Sequence, residues 1–131
     1  MSKCLILVKY SFEGTQLCEE KSKNIDSIDI SEEMINALEL SKVIDKICVL
    51  EESGGDSYET EVIANASLQD TIKKCEELSI KYCSELQKGI VNDKSRYDIF
   101  DKLTVLLNIR KIIIKKQIKY KNDDSVYIVW G

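Results

Sequence analysis

The chain contains no histidine, and that single absence removes every Ser-His, Cys-His and His-metal mechanism. Catalysis would fall to carboxylates, lysines, tyrosines or a bare thiol, which turns the reading away from an enzyme. Cysteines stand at 4, 18, 48, 75 and 83, an odd number in which no pair has the Cys-x-x-Cys spacing of zinc ligands or thiol redox motifs. Cys75 and Cys83, if both helical, lie about 12 Å apart along the axis, beyond disulfide reach. The thiols are expected to be small buried hydrophobes, with Cys18, in a polar stretch, the exposed one. The apolar run Cys4 to Val8 is too short for a signal-peptide core and far too short to span a bilayer, so an intracellular, cytoplasmic protein is expected. Asn65-Ala66-Ser67 matches a glycosylation acceptor, but without a secretory signal it reads as a helix start. There is no internal repeat, low-complexity stretch or linker.

What is present is the composition of a globular domain. At 131 residues, 44% hydrophobic and 32% charged, the chain is sized for one domain, residues 1–131, whose core needs neither disulfide nor metal. Net charge is −4, but the halves differ: residues 1–66 hold 6 Lys against 14 Asp and Glu, or −8, and residues 67–131 hold 13 Lys and Arg against 9 acids, or +4. The protein is expected to be a dipole, acidic at one end of its sequence and basic at the other.

Lys46 to Ala64 is the stretch around which the rest is arranged. Two strand-like runs, 46–52 and 58–64, flank Ser53-Gly54-Gly55-Asp56-Ser57, whose consecutive glycines supply the positive backbone dihedrals of a tight hairpin. Ahead of it, Lys3 to Tyr10 is a continuous apolar run, the pattern of a strand covered on both faces and central in its sheet. Residues 11–24 are polar and carry Gly14; they read as a long connection, with 16–23 able to form a helical turn. Asp29 or Ser31 caps a first helix, with Glu32 and Glu33 in its first turn, ending near Asp45.

After the hairpin, Ser67-Leu68-Gln69-Asp70 opens the longest helix, running to about Lys88 with Gly89 just past its end. Its apolar stripe is Leu68, Ile72, Cys75, Leu78, Tyr82 and Leu86. Ser95 caps a further helix through Ile99, Phe100, Leu103, Leu106 and Leu107 to about Asn108. From Arg110 to Lys121 the period changes: Ile112, Ile114, Ile118 and Tyr120 alternate with mostly cationic positions, the pattern of a half-buried strand. A turn at 121–125 and a last strand at 125–130 close a second hairpin. The order predicts an α+β fold, a ferredoxin-like βαββαβ variant with an extra C-terminal strand. Its antiparallel or mixed sheet would have about five strands, with helices on one face. The other face would be open, lined by Glu59 and Glu61 and by Lys111, Lys115 and Lys119.

Two charged groups are the candidates for function. Arg110, Lys111, Lys115, Lys116, Lys119 and Lys121 form a basic strand without an acid. It reads either as a phosphate-contact surface or as the wet face of a strand kept from edge pairing by lysines. Tyr58 among Glu59 and Glu61 is a poor match to sheet-face RNA recognition. Glu51, Glu52, Asp56, Glu59 and Glu61 form the densest acidic patch, around the central hairpin. Glu59 and Glu61 share a strand face, the minimum for a carboxylate metal site or acid–base pair, but no third ligand or Asp-x-Asp-x-Asp-Gly loop accompanies them, and no metal or other cofactor is expected. Gly54-Gly55 lies between strands, so it makes a poor phosphate cradle. The acidic and basic hairpins can neutralise each other across one sheet or across the boundary of a homodimer.

Residue usage is lopsided, with 18 Ile, 17 Lys against Arg96 and Arg110 alone, and no Pro. That usage resembles proteins encoded by A+T-rich genomes. With MSKCLILVKY at the start and KIIIKKQIKYK near the end, it resembles the small proteins of rod-shaped viruses of thermophilic archaea. The resemblance implies an accessory viral protein acting on a host component in the host cell, and assigns no active-site residue. The reading as a whole is a non-enzymatic protein-interaction module, its partner another protein or a second copy, with no membrane. The alternative is a nucleic-acid-binding protein that uses residues 110–121.

Overall fold

The apolar run near the start forms β1 (Lys3–Glu13). The computed structural model describes residues 2–13, 16–44, 46–51, 59–63, 65–89 and 92–131, by backbone alone at 12–13, 16–21, 46–51, 59–61 and 65–66. β1 turns back into β2 (Gln16–Ile30), paired antiparallel from Lys3↔Ile30 to Glu13↔Gln16, with irregularities at Leu7/Val8 and Lys9/Ser11. The stretch expected to be a connection is therefore mostly strand. The apolar residues of β2 are few, Leu17, Cys18, Ile25, Ile28 and Ile30, and the strand lies at the sheet's edge, where polar and charged side chains blunt unwanted pairing.

Ser31 caps α1 (Glu32–Ala37), its hydroxyl accepting from the Met34 N–H at 3.2 Å. The helix does not continue unbroken to Asp45. Glu39 takes a left-handed φ of 50°, and a short α2 (Leu40–Val43) begins after it. This break accounts for the rotation between the apolar positions before Glu39 and those after it; Leu38, Leu40, Val43 and Ile44 are all buried. β3 (Lys46–Glu51) and β4 (Glu59–Ile63) form the expected antiparallel pair, while turn residues 52–58 lie outside the described residues. α3 (Asn65–Gln87) follows, with Gly89 at φ 68° just beyond it.

Residues 110–121 depart most from expectation. They form no strand: α4 (Asp93–Lys119) is one helix of 27 residues, capped by Asn92, whose side chain accepts from the Ser95 N–H at 2.9 Å. Two periods coexist in this stretch. Ile112, Ile114 and Ile118 alternate as in a strand, but Leu106, Ile109, Ile113 and Lys116 recur at spacings of three, four and three, and these are buried. No glycine or proline interrupts residues 93–119, and the Leu, Lys, Arg and Gln around the isoleucines are strong helix formers.

With no lysine strand to pair with, β5 (Val126–Trp130) inserts between β1 and β4. The sheet order is β2-β1-β5-β4-β3, each neighbouring pair antiparallel. The α+β class stands, but the element order ββααββααβ replaces βαββαβ, so the ferredoxin-like arrangement is not formed. The hairpin expected at the organising centre sits at one edge instead.

Leu5 lies opposite Trp130 and Leu7 opposite Ile128. These side chains form one core with Ile30 and Ile63, with Ile72 and Cys75 of α3, and with Leu106, Ile109 and Ile113 of α4. The second face carries Val8 and Tyr10 with Ile6, Tyr127 and Val129, and the Tyr10 and Tyr127 ring centroids are 5.9 Å apart. The expected open face of glutamates and lysines is corrected accordingly: the lysines belong to α4, and this described part of the second face is apolar. Among the described residues no helix is long and apolar enough to cross a membrane.

The turn from α4 into β5 is held by Asp123. Its carboxylate accepts from the Ser125 N–H and hydroxyl and pairs with Lys9 of β1 at 3.0 Å. The Ser125 hydroxyl first and Lys9 second pull its pKa from 3.8 to about 2. A depressed carboxylate pKa contributes stability above the unfolded value and loses it as the pH falls through the folded one. Asp123→Asn is therefore expected to melt below the wild type at neutral pH, with the gap closing between pH 4 and 2; a gap independent of pH would contradict this. Leu106→Ala is expected to cost about 2–5 kcal/mol, whereas Leu107→Ala, one residue on but exposed, is expected to stay within about 0.5 kcal/mol. Urea unfolding of the two variants checks the orientation of α4.

Candidate functional site

A helix turns successive side chains by about 100°, so α4 distributes the cations that a strand would have aligned. Arg110 meets Glu76 of α3 at 2.8 Å, and its Nε is buried without a hydrogen-bond partner among the described residues. Lys115 reaches Asp26 of β2 at 3.5 Å. Lys116 is only 4% exposed; burial pushes its pKa down, against the opposing pull of Asp123 and Asp124. Lys111 and Lys119 are exposed on the helix, and Lys121 in the turn beyond it. Two of the six thus tie α4 to neighbouring elements, one is internal, and three are left at the surface. Of the acidic group, Glu51 pairs with Glu59 and Val49 with Glu61 in the β3–β4 register, while Glu52 and Asp56 lie outside the described residues.

Beside Lys116 is a cavity of about 450 Å³, lined by Leu68, Gln69, Lys116, Gln117 and Lys121. These groups supply hydrogen-bond donors, and among the described residues the lining holds no carboxylate to act as general base. Among the described residues no three His, Cys, Asp or Glu side chains converge on a metal position.

The other exceptional surface of α4 is apolar. Tyr97 is 68% exposed, Phe100 56%, Leu107 51% and Ile118 75%. With Thr104, Lys111 and the half-buried Ile114 they fall at successive spacings of three and four residues, the a and d positions of a heptad repeat. Two heptad positions lie about 50° apart on the helix, so these residues share one stripe. The side chains of α4 that face the core, including Ile99, Leu106, Ile109, Ile112 and Ile113, occupy the opposite side.

No protein-family model, curated protein or solved structure matches the chain. Residue roles here therefore come from geometry alone.

Tyr97, Phe100, Leu107 and Ile118 were not among the expected site residues. Their signal is in the sequence, because the three-four spacing runs unbroken from 97 to 118, but a boundary placed at Asn108 cuts it in half.

The cysteines have distinct environments. Cys75 is buried, and desolvation raises its thiol to about 11. The partly buried Cys4 donates to the Asp29 carboxylate at 2.8 Å, which raises its pKa. Cys83, expected to be buried, is exposed; Cys18, expected to be exposed, has a side chain outside the described residues. A maleimide at neutral pH is expected to label Cys83 rapidly in the folded protein and Cys75 only after unfolding. Peptide mass spectrometry reads both, and equal rates would refute the burial assigned to Cys75.

Proposed function

We propose that the protein is a non-enzymatic interaction module that recognises another polypeptide through the outer face of α4. The observation that carries this reading is the run of exposed apolar side chains, Tyr97, Phe100, Leu107 and Ile118, at heptad spacing on one long helix. Single exposed apolar residues are ordinary, but an aligned row of large ones supports a binding surface. Helices that dock on other helices or in grooves are read through anchors at this spacing. The helix is held from behind by a separate core, so the surface is preorganised and little ordering cost falls on binding.

Nucleic-acid binding through residues 110–121 draws less support. Arg110 and Lys115 already face Glu76 and Asp26, and Lys116 is buried, which leaves Lys111, Lys119 and Lys121 for phosphate contact.

Replacing Phe100 and Leu107 together by Glu is expected to leave the circular dichroism and melting temperature close to wild type, because both side chains are exposed. The same change is expected to weaken association with the polypeptide partner by about 2 kcal/mol or more, as loss of a central aromatic anchor does. Co-purification with nuclease treatment and a salt titration distinguishes the two readings. Complexes that vanish with nuclease, or that survive the double substitution, would overturn the α4 surface.

A further inference from the structure

We infer that the outer face of α4 is the seam of an antiparallel homodimer, in which α4 of one copy packs against α4 of another. This rests on the reading of that face as a polypeptide-binding surface and names its partner. The seam positions are Tyr97, Phe100, Thr104, Leu107, Lys111, Ile114 and Ile118, covering three heptads in which five of the seven side chains are apolar. On the flanks nearest the seam stand Asp101, Asn108 and Lys115 along one edge and Leu103, Arg110 and Gln117 along the other.

Charge decides the direction. In a parallel pair each seam residue meets itself, so Lys111 would face Lys111 of the partner across the seam, and the flank would set Arg110 beside the partner's Lys115. Both are like-charge encounters, set against one favourable flank pair, Arg96 with the partner's Asp101. Reversing one helix removes both and leaves a single like-charge approach, Arg110 to the partner's Arg110. In the antiparallel register that places Asp101 beside the partner's Lys115, Phe100 packs against the partner's Ile118 and Thr104 against the partner's Ile114. Leu107 then packs against the aliphatic stem of the partner's Lys111. Twofold symmetry repeats each of these contacts, so the self-complementary face closes as a dimer instead of propagating. On the second flank the two Arg110 side chains approach the axis, each already opposed by Glu76 of its own α3 at 2.8 Å. Lys115 already lies 3.5 Å from Asp26, so the partner's Asp101 would complete an acid–base–acid group there.

Three heptads with a threonine and a lysine in the middle layers make a short seam, and its dissociation constant is expected in the micromolar range. Sedimentation velocity of the full chain across that range gives the association, and benzoylphenylalanine in place of Phe100 gives the direction by photo-crosslinking. Phe100 and Ile118 are about 27 Å apart along one helix, so a crosslink from 100 to a peptide containing 118 arises between copies. The expected result is a concentration-dependent dimer with that crosslink. Phe100→Glu with Leu107→Glu is expected to abolish the dimer, Lys111→Leu to tighten it tenfold or more, and Asp101→Lys to weaken it severalfold, all with unchanged helicity.

A chain that is monomeric throughout, or crosslinks from 100 to the partner's residues 97–104, or a dimer indifferent to Phe100→Glu with Leu107→Glu, would overturn the proposal. If the chain is monomeric but a different protein is bound and then lost on the double substitution, the homodimer fails and the interaction surface stands. If that binding also survives the substitution, both fail.

Discussion

One side of α4 must be buried against α3 and the β2–β1–β5 side of the sheet, and the rest of the structure is arranged to let that happen. Leu106, Ile109, Ile112 and Ile113 lose essentially all solvent contact, as do Leu5, Leu7 and Ile128 of β1 and β5. At about 1.5–3 kcal/mol for each such side chain removed from water, this contact outweighs every ion pair among the described residues. Partly exposed pairs such as Arg110–Glu76 and Lys115–Asp26 contribute about 0–1 kcal/mol each. Their effect is on position: one ties α4 to α3, the other to β2. Lys102 over the Tyr82 ring at 5.1 Å joins α3 and α4 again, a turn or two away along both helices.

The parts of the fold legible in sequence are those where a local signal and tertiary burial agree. β1, the β3–β4 pair, α3 with Gly89 behind it, and β5 all have unambiguous periods or turn residues, and each is where its pattern places it. Two elements were not legible, for different reasons. β2 is stabilised by backbone pairing to β1, and an edge strand of mostly polar residues carries little hydrophobic periodicity of its own. The second half of α4 satisfies strand and helix periods together. Its identity is decided by whether Leu106, Ile109, Ile112 and Ile113 together or the alternating Ile112, Ile114 and Ile118 find a surface to bury against, which is a property of the whole chain. The candidate surface is obscured by the same ambiguity, since its seven positions belong to one stripe only when residues 97–118 are one helix.

The charge asymmetry along the sequence behaves similarly. The first half carries −8 and the second +4, yet they do not form an acidic end and a basic end. β5, from the second half, is inserted between β1 and β4, both from the first. The interleaving brings Lys115 to Asp26 and Lys9 to Asp123. Charges far apart in sequence are thereby paired in space, and the Lys115–Asp26 pair sets a cation of the basic half against an acid of the acidic half.

What remains uncovered on α4 is largely apolar. Leucine at positions 104 and 111 would make the outer stripe stickier, but a uniform stripe pairs equally well in either direction and in shifted registers. A threonine and a lysine within it sacrifice affinity and restrict which alignments avoid a buried charge, the role polar residues take at core positions of coiled coils. Because the stripe, apart from Ile114, takes no part in the core, association through it would not have to be tight for the chain to fold. The same helix can therefore hold a stable domain on one side and a reversible contact on the other.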